Sequence, residues 1–201
     1  VECINDPSLK GKPLIVGGTG DRGVVASCSY EARRFGIHSA MPIKLAKRLC
    51  PQAIIISGDM ESYTRYSQLV TEIIASKVPL YEKSSIDEFY VDMTGMDRFH
   101  QSSLYIAELK RYIAAESGLP ISYGLASNKL ISKVATDEAK PDGQLEIPFG
   151  EERSFLAPLP IKKIPMIGKR TGDLLRQMGV ETVKTLSEIP VLLLQNLLGK
   201  N

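Results

Sequence analysis

Along this chain the apolar positions change period again and again, and each change marks an element. Pro13-Leu14-Ile15-Val16 is a short continuous apolar run entering Gly17-Gly18, which predicts a strand and a glycine-rich turn ending near Gly23. Val24 to Tyr30 reads as a second strand of small and β-branched residues. Glu31 to Phe35 follows as a short helix closed by Gly36, and Met41 to Leu49 as another, with Pro42 near its first turn and Pro51 past its end. Ala53-Ile54-Ile55-Ile56 reads as a buried strand. Helical spacing then runs from Met60 to Val78, with Leu69, Ile73 and Ile74 on one stripe.

The second half repeats the alternation. Ser84 to Met93 is rich in β-branched and aromatic residues and reads as strand. A helix is expected from about Gln101 to Glu116, with Ile106, Leu109 and Ile113 in register and Gly118-Leu119-Pro120 as its stop. Ile121 to Ala126 reads as a strand. Asn128 can cap a helix from Lys129 to Ala139, ended by Lys140-Pro141-Asp142-Gly143. Gly150 to Leu159 reads as a connection, and 161–201 as all helical, punctuated at Pro165, Gly168, Gly179 and Pro190. The order strand, helix, strand, strand, helix, strand predicts an α+β sheet with helices on one face. Domain boundaries are expected near 149 and, more weakly marked, near 58.

Composition changes this picture little. Of the 201 residues 43% are hydrophobic and 24% charged, an ordinary globular balance, and the net charge of +2 permits nucleic acid as a partner without arguing for it. Cys3, Cys28 and Cys50 form no disulfide framework, and they share no metal-ligand spacing with His38 and His100. This fits a reducing, cytoplasmic setting. No apolar run reaches the length of a membrane span, so no membrane partner is expected. The chain opens at Val1 in mid-pattern and stops at Asn201 after a helical segment, and both ends look cut.

Four stretches could carry chemistry. In Ser85-Ile86-Asp87-Glu88, adjacent carboxylates interrupt an apolar run. Ionised acids are almost never buried without a partner, so either a divalent cation meets them or they lie on a solvated hairpin edge. Their neighbour Asp92 allows a calcium-binding turn as a third reading, but the spacing and glycine of an EF-hand loop are absent. Tyr30 and Arg33 stand three apart and could grip a polyphosphate from one helix face, or lie on an ordinary surface helix. Lys133, Asp137 and Lys140 share a helical stripe. They form either an exposed charge ladder or a lysine held toward a triphosphate. Last, Ile164 to Gly179 reads as two helices about a tight turn at Ile167-Gly168. The amides there, beside Lys169 and Arg170, suit a DNA phosphate; an ordinary helical hairpin is the alternative.

Taken together the motifs resemble one family. Ser29-Tyr30-Glu31-Ala32-Arg33 with Phe35-Gly36, Ser85-Ile86-Asp87-Glu88, Gly124-Leu125-Ala126-Ser127-Asn128-Lys129 and Ala139-Lys140-Pro141 are similar, in order and spacing, to Y-family translesion DNA polymerases of the bacterial DNA polymerase IV type. The resemblance implies fingers at 1–58, a ferredoxin-like βαββαβ palm at 59–148 and a helix-hairpin-helix thumb at 149–201. It implies that Asp87 and Glu88 are two of three catalytic acids holding two Mg²⁺ ions. Tyr30, Arg33 and Lys140 would bind the triphosphate of an incoming deoxynucleotide. Val24 and Ala26 would roof the nascent base pair, and Gly168, Lys169 and Arg170 would hold primer-template DNA. A sliding clamp would be met through a part beyond Asn201. The family's third acid and steric gate lie upstream of the Val1-Glu2 match, and the little finger beyond Asn201. The 201 residues alone are therefore expected to polymerise poorly. A catalytically dead relative that only holds DNA through its thumb is the competing reading. Met166 stands where the family's hairpin turn usually has glycine.

Overall fold

Ser29 joins the start of the first strand to the helix that follows the second. The computed structural model describes residues 1–20, 22–96 and 101–199; His100 lies outside them. Strand β1 (Leu14–Gly17) pairs antiparallel with β2 (Val25–Cys28) and parallel with β3 (Ile54–Ile56), giving the order β2-β1-β3. The Ser29 hydroxyl accepts from Leu14 N at 3.0 Å and from Ala32 N at 3.3 Å and donates to the Lys12 carbonyl at 3.0 Å. One side chain thus caps α2 (Tyr30–Arg33) and fixes it to the start of β1. The β1–β2 ladder shifts register between Val16 and Gly17, and a Cβ at Gly17 would sit 2.4 Å from the Val24 carbonyl oxygen, so the bulge requires glycine.

The chain folds as two compact units, one of 1–73 with 83–88 and the other of 74–82 with 89–199 among the described residues. In the first, α3 (Ile43–Leu49) and α2 lie in the crossover from β2 to β3. Together they bury Ile15, Val25, Ala32, Ile37, Ile43 and Ala46 in a single core. A short α1 (Glu2–Asn5) and a 3₁₀ turn (Pro7–Leu9) precede the sheet, and the Tyr63 hydroxyl donates to the Glu2 carboxylate. The helix α4 (Met60–Lys77) begins at Asp59, whose carboxylate accepts from Glu61 N and Ser62 N, both at 3.1 Å. Its buried stripe is Ser62, Ser67, Val70, Ile73 and Ile74, one residue round from the expected Leu69.

The second unit is built on β6 (Tyr123–Leu125), α6 (Lys129–Ala139) and β7 (Gln144–Glu146), a parallel βαβ unit. The helix lies directly on the strand: a Cβ on Gly124 would be 2.4 Å from the Ser132 carbonyl oxygen, and Ser132 Oγ donates to the Gly124 carbonyl at 2.7 Å. Asn128 caps α6 through Oδ1, which accepts from Ile131 N at 3.1 Å, as its sequence predicts. Also here are α5 (Ser102–Ser117), stopped by Gly118 at φ +69°, and α7 (Glu152–Leu156), which lies in the stretch expected to be a plain connection. Ile131, Ala135 and Ile147 form the core between them, with Phe155 and Leu156 against it. A separate small core of Ile161, Leu175 and Val180 gathers α8 (Lys169–Gln177), α9 (Val183–Ser187) and α10 (Val191–Leu198).

The α+β class is as expected, but the strands pair differently from one continuous βαββαβ sheet. The hairpin β4 (Tyr81–Lys83) with β5 (Phe89–Val91) is one two-stranded pair and β6–β7 another, while β3 joins β1. The reason lies in Ile54-Ile55-Ile56. Its register against Leu14-Ile15-Val16 packs Ile55 on the first unit's core, which a place beside β4 would forgo.

Candidate functional site

The acidic stretch is not strand at its centre. Ser84 N and Ser85 N both donate to the Glu88 carbonyl, at 2.9 and 3.3 Å, so residues 84–88 close on themselves and β5 begins only at Phe89. This is the irregularity that side-by-side acids need, because neighbours in a regular strand point to opposite faces. Asp87 is exposed and Glu88 half-buried. Asp87 Oδ1 accepts from Ser85 Oγ at 2.8 Å, and Asp87 N donates to that same hydroxyl at 3.4 Å. The hydroxyl orients the carboxylate without neutralising it. Among the described residues no group of three or more His, Cys, Asp or Glu could by itself hold a metal ion. Two adjacent carboxylates on a turn nevertheless fit a hydrated divalent cation such as Mg²⁺, which keeps several waters and takes one or two carboxylates together with substrate phosphates.

In the same unit Tyr30 and Arg33 meet as their spacing predicts. The Arg33 guanidinium lies 5.5 Å from the centroid of the Tyr30 ring, and its Nε donates to the Cys28 carbonyl at 3.4 Å. Both side chains are exposed, and Arg33 has no acidic partner among the described residues. The result is a guanidinium steadied from two sides with its fork free for an anion. Beneath it, burial pushes the Cys28 thiol up from its ordinary value, and Sγ donates to the Ile37 carbonyl at 3.5 Å. That cysteine is a packing residue.

Val24 and Ala26 are two apart on the β2 edge and both exposed, while Val25 between them is buried. The segment Ala40 to Pro42 borders that edge, with Val25 N donating to the Met41 carbonyl at 2.9 Å and Ala40 N to the Val25 carbonyl at 2.8 Å. Backbone pairing on both sides thus holds these small side chains in place, next to the bulge at Gly17. The sequence reads Ser29 as part of a strand running to Tyr30; the structure makes it instead the cap of α2 and the anchor of the corner that carries Tyr30 and Arg33.

In the second unit Lys140 is the residue after α6, and its Nζ lies 2.8 Å from Asp137 Oδ1. Of the Lys133, Asp137 and Lys140 stripe, the structure shows the second and third joined. The chain then turns sharply: Asp142 adopts φ +48°, its Oδ1 lies 3.3 Å from Lys110 Nζ, and that ammonium donates to the Asp142 carbonyl at 2.6 Å. The end of α6 is thereby fixed to α5.

The expected hairpin has its turn at 164–168, but only a 3₁₀ turn (Ile161–Lys163), not the expected helix, leads into it. Ile167 N donates to the Ile164 carbonyl and Gly168 N to the Met166 carbonyl, at 3.2 and 3.0 Å. Gly168 precedes α8 and supplies no side-chain cap, and Lys169 and Arg170 are exposed on its first turn. The first amides of α8 thus lack a side-chain partner beside two cations, an arrangement suited to a phosphate.

Comparisons with known proteins show the family. The impB/mucB/samB family (IMS) matches residues 1–137. The chain belongs to this family. The IMS family HHH motif matches residues 150–180. The chain is 47% identical over 201 residues to DNA polymerase IV of Dehalococcoides mccartyi strain CBDB1, covering 99% of this chain and 52% of that protein. It is 42% identical over 200 residues to DNA polymerase IV of Treponema denticola, covering 99% of this chain and 51% of that one. The chain thus spans about half the length of these relatives. Among solved structures, DinB from Sulfolobus solfataricus superposes with a TM-score of 0.90 at 30% identity, over 99% of this chain and 59% of that one. An insertion ternary complex of Dbh DNA polymerase gives 0.89 at 29% identity, over 99% and 60%. The resemblance carried by the motifs is borne out. The family match spans Tyr30, Arg33, Asp87 and Glu88 and the HHH match spans Gly168 to Arg170, while Lys140 falls between them.

Proposed function

We propose that this chain belongs to a translesion DNA polymerase, which adds deoxynucleotides to a primer opposite damaged template bases. The observation that carries the reading is the pairing, within one family match, of a turn bearing Asp87 and Glu88 with a helix on which Arg33 is steadied over Tyr30. In this reading the fingers comprise 1–58, the palm 59–148 and the thumb 149–201.

Each residue has a task suited to its chemistry. Asp87 and Glu88 would hold two Mg²⁺ ions, with the Ser85 hydroxyl, which donates to Asp87 Oδ1, orienting that carboxylate. When bound, those ions supply Lewis-acid charge at the attacking and departing oxygens. Tyr30 donates its hydroxyl, and Arg33 its planar fork, to the triphosphate of the incoming deoxynucleotide. Lys140 adds a point charge on the same phosphates, with Asp137 setting its direction. Val24 and Ala26 form the roof over the nascent pair, and their low bulk leaves room for an altered base. Gly168, Lys169 and Arg170 hold a phosphate of primer-template DNA through backbone amides and charge, which reads no sequence. A sliding clamp is a further partner, and the cytoplasm is the setting proposed on the family likeness.

The test is templated primer extension, with Mg²⁺ and deoxynucleoside triphosphates, by the full natural gene product. Extension directed by the template supports the reading. Tight binding of primer-template DNA with no extension identifies the chain as a DNA-holding relative without catalysis.

A further inference from the structure

The tip of the helical hairpin carries a side chain that the free protein does not use. Met166 adopts φ +70°, in the left-handed region that favours glycine, and is 98% exposed. A thioether side chain in this conformation is strained and gains no packing from its own chain. Yet it stands between Lys162 and Lys163 on one side and Lys169 and Arg170 on the other. It also forms part of the wall of a shallow groove of about 360 Å³ lined by Lys133, Asp137, Lys162 and Gly168. Lys163 is turned away to Glu138. The apolar tip is thus flanked along the chain by Lys162, Lys169 and Arg170, while the Asp137 carboxylate in the groove is paired with Lys140.

We infer that Met166 is a DNA-contact residue that packs against the sugar edge beside the phosphate held at the start of α8. This rests on the reading of the hairpin as a DNA interface. A phosphate seated on the α8 amides brings a deoxyribose within reach of the turn, and the C–H face of that sugar is an apolar surface. The flexible, polarisable methionine side chain suits such an irregular surface. The contact adds affinity without charge.

The experiment measures primer-template affinity across a salt series for the purified protein and for Met166→Gly, Met166→Asn, Met166→Leu, Lys169→Ala and Arg170→Ala. Glycine and asparagine both accept the left-handed conformation, so neither endangers folding. Both should weaken binding about fivefold to tenfold, the scale of one or two buried methylene groups, with the salt slope unchanged. Met166→Leu should restore affinity to within about twofold, because its apolar volume is similar. Wild-type or tighter binding by Met166→Gly overturns the inference. Lys169→Ala and Arg170→Ala should each lower the salt slope by about one. If neither changes slope or affinity, the hairpin is not a DNA interface, and the underlying reading fails first and separately.

Discussion

Gly124 offers the sharpest test of how the fold positions Lys140. Replacing it by alanine puts a Cβ 2.4 Å from the Ser132 carbonyl oxygen, 2.7 Å from Ala135 Cβ and 2.7 Å from Thr136 N. Two of these are backbone atoms of α6, so no side-chain rotation relieves them. Ordinary contact begins near 3.4 Å, so the helix must withdraw from β6 by roughly 1 Å. Overpacking of this kind costs about 1–3 kcal/mol, and loosening the Ser132 hydroxyl from the Gly124 carbonyl costs about 1 kcal/mol more. Alanine regains roughly 0.5 kcal/mol of the entropy that glycine loses in a strand. The net loss is about 2–3 kcal/mol, which in a chain of this size lowers Tm by about 5–10 °C. Gly20→Ala is the control, since a Cβ there meets nothing within 4 Å. Thermal melting followed by circular dichroism measures both. Because α6 ends at Lys140, the surviving folded Gly124→Ala protein should also show a raised KM for nucleotide. A Gly124→Ala protein that melts within about 1 °C of wild type would refute the argument that glycine is needed for helix-strand contact.

Two other substitutions probe charge. Lys140→Ala removes only an exposed pair with Asp137 and should leave stability within about 1 kcal/mol of wild type, while raising the nucleotide KM roughly tenfold or more. An unchanged KM takes Lys140 out of the site. Burial, and then the hydrogen bond to Glu2, push the Tyr63 hydroxyl from an ordinary 10.0 up to about 12. A raised folded value means that this contribution to stability is whole below pH 10.0 and is lost as pH climbs through about 12. Tyr63→Phe should remove that share of the alkaline loss, read as Tm against pH; identical alkaline slopes for both proteins would contradict the assignment.

How far the sequence could be read depended on whether local chemistry set the outcome. Helix α6 was legible to the residue because Asn128 offers a cap and Pro141 an end. The corner of Tyr30 and Arg33 was legible because spacing alone brings them together. Residues 84–88 were legible in part, since adjacent acids that share one site require the strand to turn or bulge there. Ile86, Phe89, Tyr90 and Val91 favour strand, but the backbone amides of Ser84 and Ser85 find the Glu88 carbonyl instead, a choice that no propensity encodes. Strand β7 (Gln144–Glu146) carries two polar residues in three, and so lacks an apolar signal. It exists because β6 offers a parallel edge beneath α6. Helix α7 is only Glu152–Leu156 and depends on packing Phe155 and Leu156 against Ile131 and Ile147, contacts distant in sequence. The pairing of β3 with β1 was hidden for the same reason. Met166 was visible as a departure from glycine, while its left-handed backbone was not.

The central claim is that Asp87 and Glu88 together hold the ions that drive nucleotide addition. Single-nucleotide insertion into a primed template should be compared for wild type, Asp87→Ala and Glu88→Ala, with circular dichroism confirming that each variant is folded. Each substitution should cut insertion by at least about a hundredfold while leaving primer-template affinity near wild type. Insertion at the wild-type rate by either folded variant would contradict the claim.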